Sequence, residues 1–525
     1  MAQKIQIYDT TLRDGAQTEG ISYSLHDKVN IVKRLDAVGV DFIEGGWPFS
    51  NPKDTELFAH FKKNKLKNSK LVPFGSTARF GRPAAQDQNL QSLVKSGTEY
   101  VTIFGKTWDL HVKSVLKVSL EDNLKLIADS VTYLIKQKRK VFYDAEHFFD
   151  GYKANPDYAI KCIKAALGAG AKLIVFCDTN GGTLPWEVEM IAAQVKKACG
   201  MVSFGIHCHN DLGLSLANSL AAVRFGCVQV QGTVNGCGER CGNTDIVAVM
   251  GTLKLKMKAQ FAAAKNLKEL TELSYFVSEV GNVAHRENSP FVGRSAFAHK
   301  AGVHIDAMLK NPLAYEHMDP ALVGNHRRFL VSELAGKSSL VVKAKELDYD
   351  LDKKSPRAQK LHELIQNLEK QGYQFEAAEG SFKLLLKREF NEYRKFFDLL
   401  GFRVSVEKRE DNRLISEAAI KLKVGKELKH TAAEGDGPVN ALDNALRKAL
   451  VDAYPQLASM RLCDFKVRVL DAKEGTAAKV RVLIESQDDN ETWTTVGVSE
   501  NIIEASWQAL VDSVEYKLLK PHKFG

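Results

Sequence analysis

The sequence predicts an α/β protein: a (β/α)8 barrel of the TIM type, then a helical linker region, then a C-terminal α+β domain. Three observations carry the barrel. Eight short β-rich runs recur through the first 240 residues, amphipathic stretches fill the intervals, and polar residues gather at the carboxyl ends of the runs. Strands separated by crossover helices form a parallel sheet. Eight such units close a ring whose active face is built from strand carboxyl ends. An open doubly wound sheet is the competing arrangement, but no glycine-rich dinucleotide fingerprint follows the first run.

The runs are Ile5–Asp9, Asp41–Trp47, Lys70–Gly75, Tyr100–Gly105, Lys140–Glu146, Lys172–Asp178, Ser203–His209 and Val228–Val234. Each interval has room for a loop and a helix. In Leu25–Val38, Val29, Val32 and Leu35 recur at helical spacing, and Ser24 with Asp27 frames a capping box. The repeat stops near residue 260. Residues 262–285 read as helical, Asn288–Gly302 as a loop, and helical segments continue to about 385, broken by charged turns such as Asp350–Arg357. The tail then presents strands at Phe402–Lys408, Leu414–Val424, Leu462–Leu470 and Ala478–Glu485, with helices at Pro438–Ala453 and Glu500–Leu519. Ala449-Leu450-Val451-Asp452 recurs as Ala509-Leu510-Val511-Asp512, which suggests two similar α+β halves. The expected divisions are 1–262, 263–390 and 391–525.

Composition excludes several classes. Hydrophobic residues at 44% and charged residues at 26% disfavour disorder and a membrane protein. The net charge of +9 suits small anions but is too diffuse for nucleic acid. Eight cysteines, none before Cys162, form no dense disulfide framework. The opening MAQKIQIYDTTLRDG has no signal-peptide pattern, and no apolar run is long enough to span a bilayer. A reducing, cytoplasmic location is expected.

His207-Cys208-His209 closes the seventh run. Alternate strand residues share a face, so the two imidazoles can reach one ion while Cys208 points away. Asp14 and Asn243, after the first and eighth runs, could add oxygen ligands from adjacent strands and leave positions open for substrate. Cys237 and Cys241 offer a competing closed zinc site with the histidines. Arg13, beside Asp14, can polarise a carbonyl or grip a carboxylate, although the same pair could be a plain surface salt bridge. Glu146 and Glu239 could orient water or a base, and Thr179-Asn180-Gly181-Gly182 could cradle a small carboxylate.

The motifs Asp9-Thr10-Thr11-Leu12-Arg13-Asp14-Gly15, His207-x-His209-Asn210-Asp211-Leu212-Gly213 and Gly238-Glu239-Arg240-x-Gly242-Asn243 resemble those of the metal-dependent Claisen-condensing enzymes. That family includes 2-isopropylmalate, homocitrate and citramalate synthases. The similarity continues through Phe297-x-His299-Lys300-x-Gly302-x-His304, Tyr315-x3-Asp319-Pro320-x-x-Val323-Gly324 and the tail segment Glu434-Gly435-Asp436-Gly437-Pro438-Val439-Asn440-Ala441-Leu442. Glu19-Gly20-Ile21-Ser22 and Ile43-Glu44-Gly45-Gly46-Trp47-Pro48 are most similar to the citramalate branch, while Ala16 departs from the Glu or Thr common in the family.

The resemblance implies a divalent cation (Mn2+, Mg2+ or Zn2+) held by Asp14, His207 and His209 with Asn243 nearby. It implies pyruvate bound through Arg13 and Thr179, and acetyl-CoA deprotonated by a base activated by His304 with Glu239. Glu146 would orient Arg13 or substrate, and Tyr315 would act near the acetyl group or the hydrolytic water. Larger 2-keto acids, or aldol cleavage as in a metal-dependent lyase, are the alternative chemistries. A homodimer is expected, with isoleucine sensed in the tail at Asp436, Gly437 and Ser499, where Asp436-Gly437-Pro438 reads as a cap, a flexible residue and an N1 proline.

Overall fold

The computed structural model describes residues 4–200, 203–330, 337–470 and 478–520. It separates into two compact units, Met1–Phe297 with Met318–Arg327, and Ala298–His317 with Arg328–Gly525.

The first unit holds a closed barrel of eight parallel strands in chain order: β1 (Gln6–Asp9), β2 (Phe42–Gly46), β3 (Lys70–Ser76), β4 (Tyr100–Lys106), β5 (Lys140–Glu146), β6 (Leu173–Asp178), β7 (Phe204–Cys208) and β8 (Cys227–Gly232). The ring closes where Ile7 of β1 lies opposite Val230 of β8. Strand side chains are apolar on both faces because both are covered, as a parallel sheet requires. Outward residues such as Ile7, Ile43 and Ile103 join the large core shared with the helices. A smaller cluster of Tyr8, Phe42, Val72, Phe142, Leu173 and Val175 has its own packing. There Phe42 and Phe142 meet edge to face at 5.0 Å. The capping box forms as expected: Ser24 Oγ accepts the Asp27 N–H, and the Asp27 carboxylate accepts the Ser24 N–H.

After the barrel, residues 262–285 are less helical than the pattern predicted. Two short 3-10 turns precede one α-helix, Leu270–Val280.

The second unit carries the connecting helices Lys337–Glu346, Pro356–Lys370 and Glu379–Glu389. Two antiparallel sheets follow. One is Asp398–Lys408, Leu414–Val424 and Glu427–Gly435, ahead of the helix Pro438–Leu450. The other is Arg461–Val469, Val480–Gln487 and Thr492–Ser499, ahead of the helix Ile502–Leu518. The two halves therefore share one βββα order, and both helices contribute to one core. Thr431 donates its hydroxyl to the Ala445 carbonyl in the first half, and Thr495 donates to the Ala509 carbonyl in the second.

The sequence pattern missed the third strand of each half. Glu427–Gly435 has no fully buried residue, so its alternation is muted. In Thr492–Ser499 a polar residue, Thr495, is completely buried, its hydroxyl satisfied by the helix carbonyl. The start of the helix Pro438–Leu450 also differs. Gly437, not Asp436, is the N-cap, with Pro438 following, and its φ of −164° is extended backbone that any residue adopts. Asp436 engages through its own backbone N–H, which donates to Asn440 Oδ1 at 3.1 Å.

No helix among the described residues is long and apolar enough to cross a membrane. All eight cysteines are free.

Candidate active site

The loops after β1 and β8 form a seam at the mouth of the barrel. Asp9 is buried at the end of β1, and its carboxylate accepts the Thr11 N–H at 3.0 Å and hydroxyl at 2.7 Å, which turns the chain sharply. Thr11 Oγ1 then accepts the Val234 N–H at 2.9 Å, joining this loop to the one after β8. Burial pushes the Asp9 carboxyl up to about 7. The turn delivers Arg13 and Asp14 to the carboxyl end of the ring.

Across the seam, His207 and His209 project from the end of β7, and Cys208 between them is buried. Nδ1 of His207 lies 2.9 Å from Oε1 of Gln231 on β8. An amide oxygen can only accept, so that nitrogen carries the proton and Nε2 presents its lone pair. Nε2 is 3.3 Å from Asp14 Oδ2. Ligand atoms of Asp14, His207 and His209 all lie within 4.8 Å of one another, and all three side chains are buried.

The electrostatics suit a cation. Burial favours the neutral imidazoles and, with the neighbouring His207, takes His209 down to about 3. Burial lowers His207 too, against the pull of Asp14. Burial works against ionised Asp14, but the Arg13 guanidinium beside it prevails and holds the carboxyl below its usual range. Neutral imidazoles beside a carboxylate are the protonation state that metal binding demands. Three buried atoms here, Asp14 Oδ2, His209 Nδ1 and Asn243 Oδ1, have no hydrogen-bond partner. Leaving a buried polar atom unpaired costs about 1–3 kcal/mol, so such a gathering needs an occupant. Asn243 pairs through its backbone with His209, and its side-chain amide donates to the Cys237 carbonyl at 3.2 Å, which turns Oδ1 free. The residues present therefore fit a divalent cation.

The closed zinc alternative is not built. Among the described residues, the cluster of metal-ligating groups contains no cysteine. Cys237 and Cys241 instead line a separate cavity of about 290 Å³ with Ser278 and Arg286, and burial pushes the Cys237 thiol up to about 11.

Arg13 is not a surface salt bridge. Its guanidinium pairs with Asp14, donates from Nε to Glu44 Oε2 at 2.5 Å, and lies 3.8 Å above the Phe74 ring. Burial opposes its charge, but Asp14 and Glu44 more than restore it. Glu44 is wholly buried and accepts the Tyr8 hydroxyl at 2.8 Å. Burial, then the Glu44 charge, raises the Asp144 carboxyl well above its ordinary value. Gln231 Nε2 donates to Asp144 Oδ1 at 3.3 Å, so the glutamine joins His207 to this second carboxyl.

Arg13 and the ligand cluster open on a cavity of about 240 Å³. Trp47, Phe74 and Phe104 form an aromatic wall on one side, with Trp47 edge-on to both phenyl rings. Glu146 and Thr179 line it too, and Glu239 and Arg240 stand at its edge. Glu146 is ion-paired with Lys106, whereas the carboxylates that hold Arg13 are Asp14 and Glu44. Thr179 Oγ1 accepts the His147 N–H at 2.9 Å. Arg240 donates to both carboxylate oxygens of Asp211, at 2.8 and 3.0 Å, and to the Thr179 carbonyl at 2.8 Å, clipping together the loops after β6, β7 and β8. Gly181, at φ +61°, sits so close to Asp211 that a side chain would collide with it.

The other expected residues belong to the second unit. His304 and Tyr315 stack there with ring centroids 4.1 Å apart. Ser499 ends the strand Thr492–Ser499, and its hydroxyl accepts the Asn501 N–H at 3.1 Å, next to the N-cap of the helix Ile502–Leu518. Glu44 and Asp144 are legible in the sequence only as polar strand ends with no role assigned, and Gln231 and the aromatic wall were not singled out. Gln229 and Gln231, alternating in the run Cys227-Val228-Gln229-Val230-Gln231-Gly232, are the signal that could have drawn attention to the glutamine.

Three family profiles match in succession. HMGL-like covers residues 4–277, the homocitrate synthase post-HMGL domain-like family 291–372, and the LeuA allosteric (dimerisation) domain 376–518. The chain is 54% identical over 517 residues to the (R)-citramalate synthase of Geobacter sulfurreducens, covering 98% of each chain. It is 52% identical to the (R)-citramalate synthase of Aquifex aeolicus over the whole of both. The chain belongs to the citramalate synthase family. Against the 2-isopropylmalate synthase of Methanocaldococcus jannaschii, identity falls to 30%, with 99% of this chain and 96% of that one covered. The citramalate synthase family thus matches both the barrel and the two-half tail across nearly the full length.

Proposed function

We propose that this enzyme condenses acetyl-CoA with pyruvate and hydrolyses the thioester, giving (R)-citramalate and CoA. The observation that carries the reading is the group of unpaired buried ligand atoms beside Arg13, opening on a small cavity with an aromatic wall. Asp14, His207, His209 and Asn243 would hold Mn2+, Mg2+ or Zn2+, which supplies Lewis-acid polarisation of a keto oxygen. Arg13, kept charged and oriented by Asp14 and Glu44, donates to the oxygen that gains negative charge as the new C–C bond forms. Thr179 holds the keto acid's carboxylate. Trp47, Phe74 and Phe104 shield the remaining side from water and leave room for a short alkyl group.

The acetyl methyl proton needs a base, and the resemblance assigns its activation to His304 with Glu239, and the acetyl or water side to Tyr315. The resulting enolate attacks the keto carbon. Water then takes the acyl group from sulfur, leaving citramalate and CoA. Glu146, in the lining of the cavity, orients substrate.

We infer that residues 1–262 are the catalytic barrel, 263–390 connecting subdomains, and 391–525 a sensing domain. Isoleucine acts at the helix starts near Asp436, Gly437 and Ser499, the enzyme is a homodimer, and it works in a reducing cytoplasm. The deciding experiment measures CoA thiol release from acetyl-CoA with pyruvate, 2-ketobutyrate, 2-ketoisovalerate and 2-oxoglutarate. Pyruvate should lead. Faster release with 2-ketoisovalerate or 2-oxoglutarate would overturn the assignment. Inhibition by isoleucine and a two-chain mass in solution test the regulatory and assembly proposals.

A further inference from the structure

We propose that the buried ion pair Lys28–Asp54 is a positioning pair for the keto acid pocket. It holds the Arg13 loop and the Trp47 wall at the spacing that admits a small 2-keto acid. The inference rests on the reading above, that this cavity binds such an acid.

Lys28 lies on the helix Leu25–Val38 and Asp54 on the helix Pro52–Lys63, outside the barrel wall, and neither lines the cavity. Their side chains are only 5% and 6% exposed. Burying two opposite charges is expensive, and an apolar pair of the same volume would usually serve packing as well. What an apolar pair could not supply is the set of backbone contacts these two make. Lys28 Nζ donates to Asp54 and also to the Leu12 carbonyl at 3.2 Å, one residue before Arg13. The other oxygen of Asp54 accepts the backbone N–H of Trp47 at 2.9 Å. Asp54 is pressed against the end of β2 itself. Gly46 there has φ +124°, and a Cβ on it would overlap the carboxylate.

One ion pair thus ties the loop after β1 to the loop after β2. These loops present two features of the pocket that meet on one ring, Phe74. Trp47 is fixed at its far end by its indole N–H, which donates to Asn89 Oδ1 at 2.8 Å, and it packs on Phe74. The Arg13 guanidinium lies over the other neighbour of that contact, the Phe74 ring. A shift of Leu12 or of Trp47 therefore changes how the cation and the indole sit on Phe74, and with it the space left beside them for a side chain.

The test compares Lys28→Met, Lys28→Arg and a control, Asp36→Asn, by KM and kcat for pyruvate and 2-ketobutyrate at saturating acetyl-CoA and metal. Asp36 is on the same helix but accepts the backbone N–H groups of Asn68 and Ser69, away from the cavity. Lys28→Met should raise the pyruvate KM about tenfold or more and reduce the preference for pyruvate over 2-ketobutyrate at least fivefold. Bound metal and the acetyl-CoA KM should stay unchanged, and Lys28→Arg should recover most of the preference. Asp36→Asn should lower Tm without moving selectivity. If Lys28→Met does not fold, Asp54→Asn, which keeps an acceptor for the Trp47 N–H but loses the charge, gives the same readout. Wild-type KM and selectivity in a folded Lys28 or Asp54 variant would overturn the proposal, as would an equal shift in Asp36→Asn. Wild-type protein that releases CoA with no keto acid would instead defeat the reading of the cavity, a failure visible before any variant is made.

Discussion

Gln231 on β8 accepts the Nδ1 proton of His207 on β7 at 2.9 Å, and so decides which nitrogen of that histidine faces Asp14. The support of the proposed ligand is thereby built into the neighbouring strand. Such supports tune a metal site almost as strongly as the ligands do.

Replacing Gln231 with Leu should weaken metal binding by about 10–100-fold, as loss of a histidine's hydrogen-bonding partner typically does. Titration calorimetry with Mn2+ on the metal-stripped protein reads this directly. Unchanged affinity would mean that His207 holds its orientation without help.

His207→Ala and Asp14→Ala should each abolish metal-dependent CoA release while the far-ultraviolet circular dichroism stays that of the wild type. Chelation of the wild type should do the same and be reversed by added Mn2+ or Mg2+. Full turnover in either metal-stripped variant would remove the assigned ligand set. Cys237→Ser with Cys241→Ser should keep the metal, because neither thiol belongs to the ligand cluster.

Arg13→Lys is not a conservative change here. Lysine cannot contact Asp14 and Glu44 together while lying flat on Phe74. The variant should lose about 100-fold in kcat/KM for pyruvate, roughly 2.7 kcal/mol of transition-state stabilisation. Steady-state kinetics with a metal assay on the same sample separates this from loss of the ion.

Asp488 gives the tail domain an acid-sensitive anchor. Its carboxylate is almost inaccessible and accepts from Lys517 at 2.6 Å and Lys520 at 2.9 Å. Burial opposes its ionisation, but these two lysines prevail and hold it well below the usual carboxylate range. A depressed folded-state value contributes stability above the unfolded value near 4, and that contribution fades as pH falls below it. Asp488→Asn should therefore destabilise the protein by about 2 kcal/mol at pH 7, with the gap from wild type narrowing below about pH 4. Thermal melts across pH check both the sign and the window.

Much of this architecture was legible before any coordinates. The eight apolar runs announced the barrel because strands covered on both faces need no polar alternation. The imidazole pair was readable because a two-residue period is enough to put His207 and His209 together. What was hidden depends on residues that meet only after the ring closes. Glu44 reads as one acid among many until β2 places it under Arg13. Gln231 reads as an odd polar residue in a strand until it meets His207. Trp47 comes from the loop after β2, Phe74 from β3 and Phe104 from β4, and no spacing in the chain signals that they form one wall. The third strands of the tail halves escaped for other reasons: Glu427–Gly435 buries no residue fully, and in Thr492–Ser499 a buried threonine bonded to a helix carbonyl looks polar in the sequence and behaves as core in the fold.

The seam between β1 and β8 has a consequence for how the enzyme is made. Asp14 follows β1, whereas the histidines at the end of β7 and Asn243 after β8 come more than half a barrel later, and β1 and β8 flank the last gap to close. A nascent chain halted before β7 has no ion site at all, however much helix and sheet it has formed. With the proposed ligand set, cation uptake would timestamp ring closure: a metal-sensitive probe on arrested chains of increasing length should stay silent until Asn243 has emerged, then switch on in a single step.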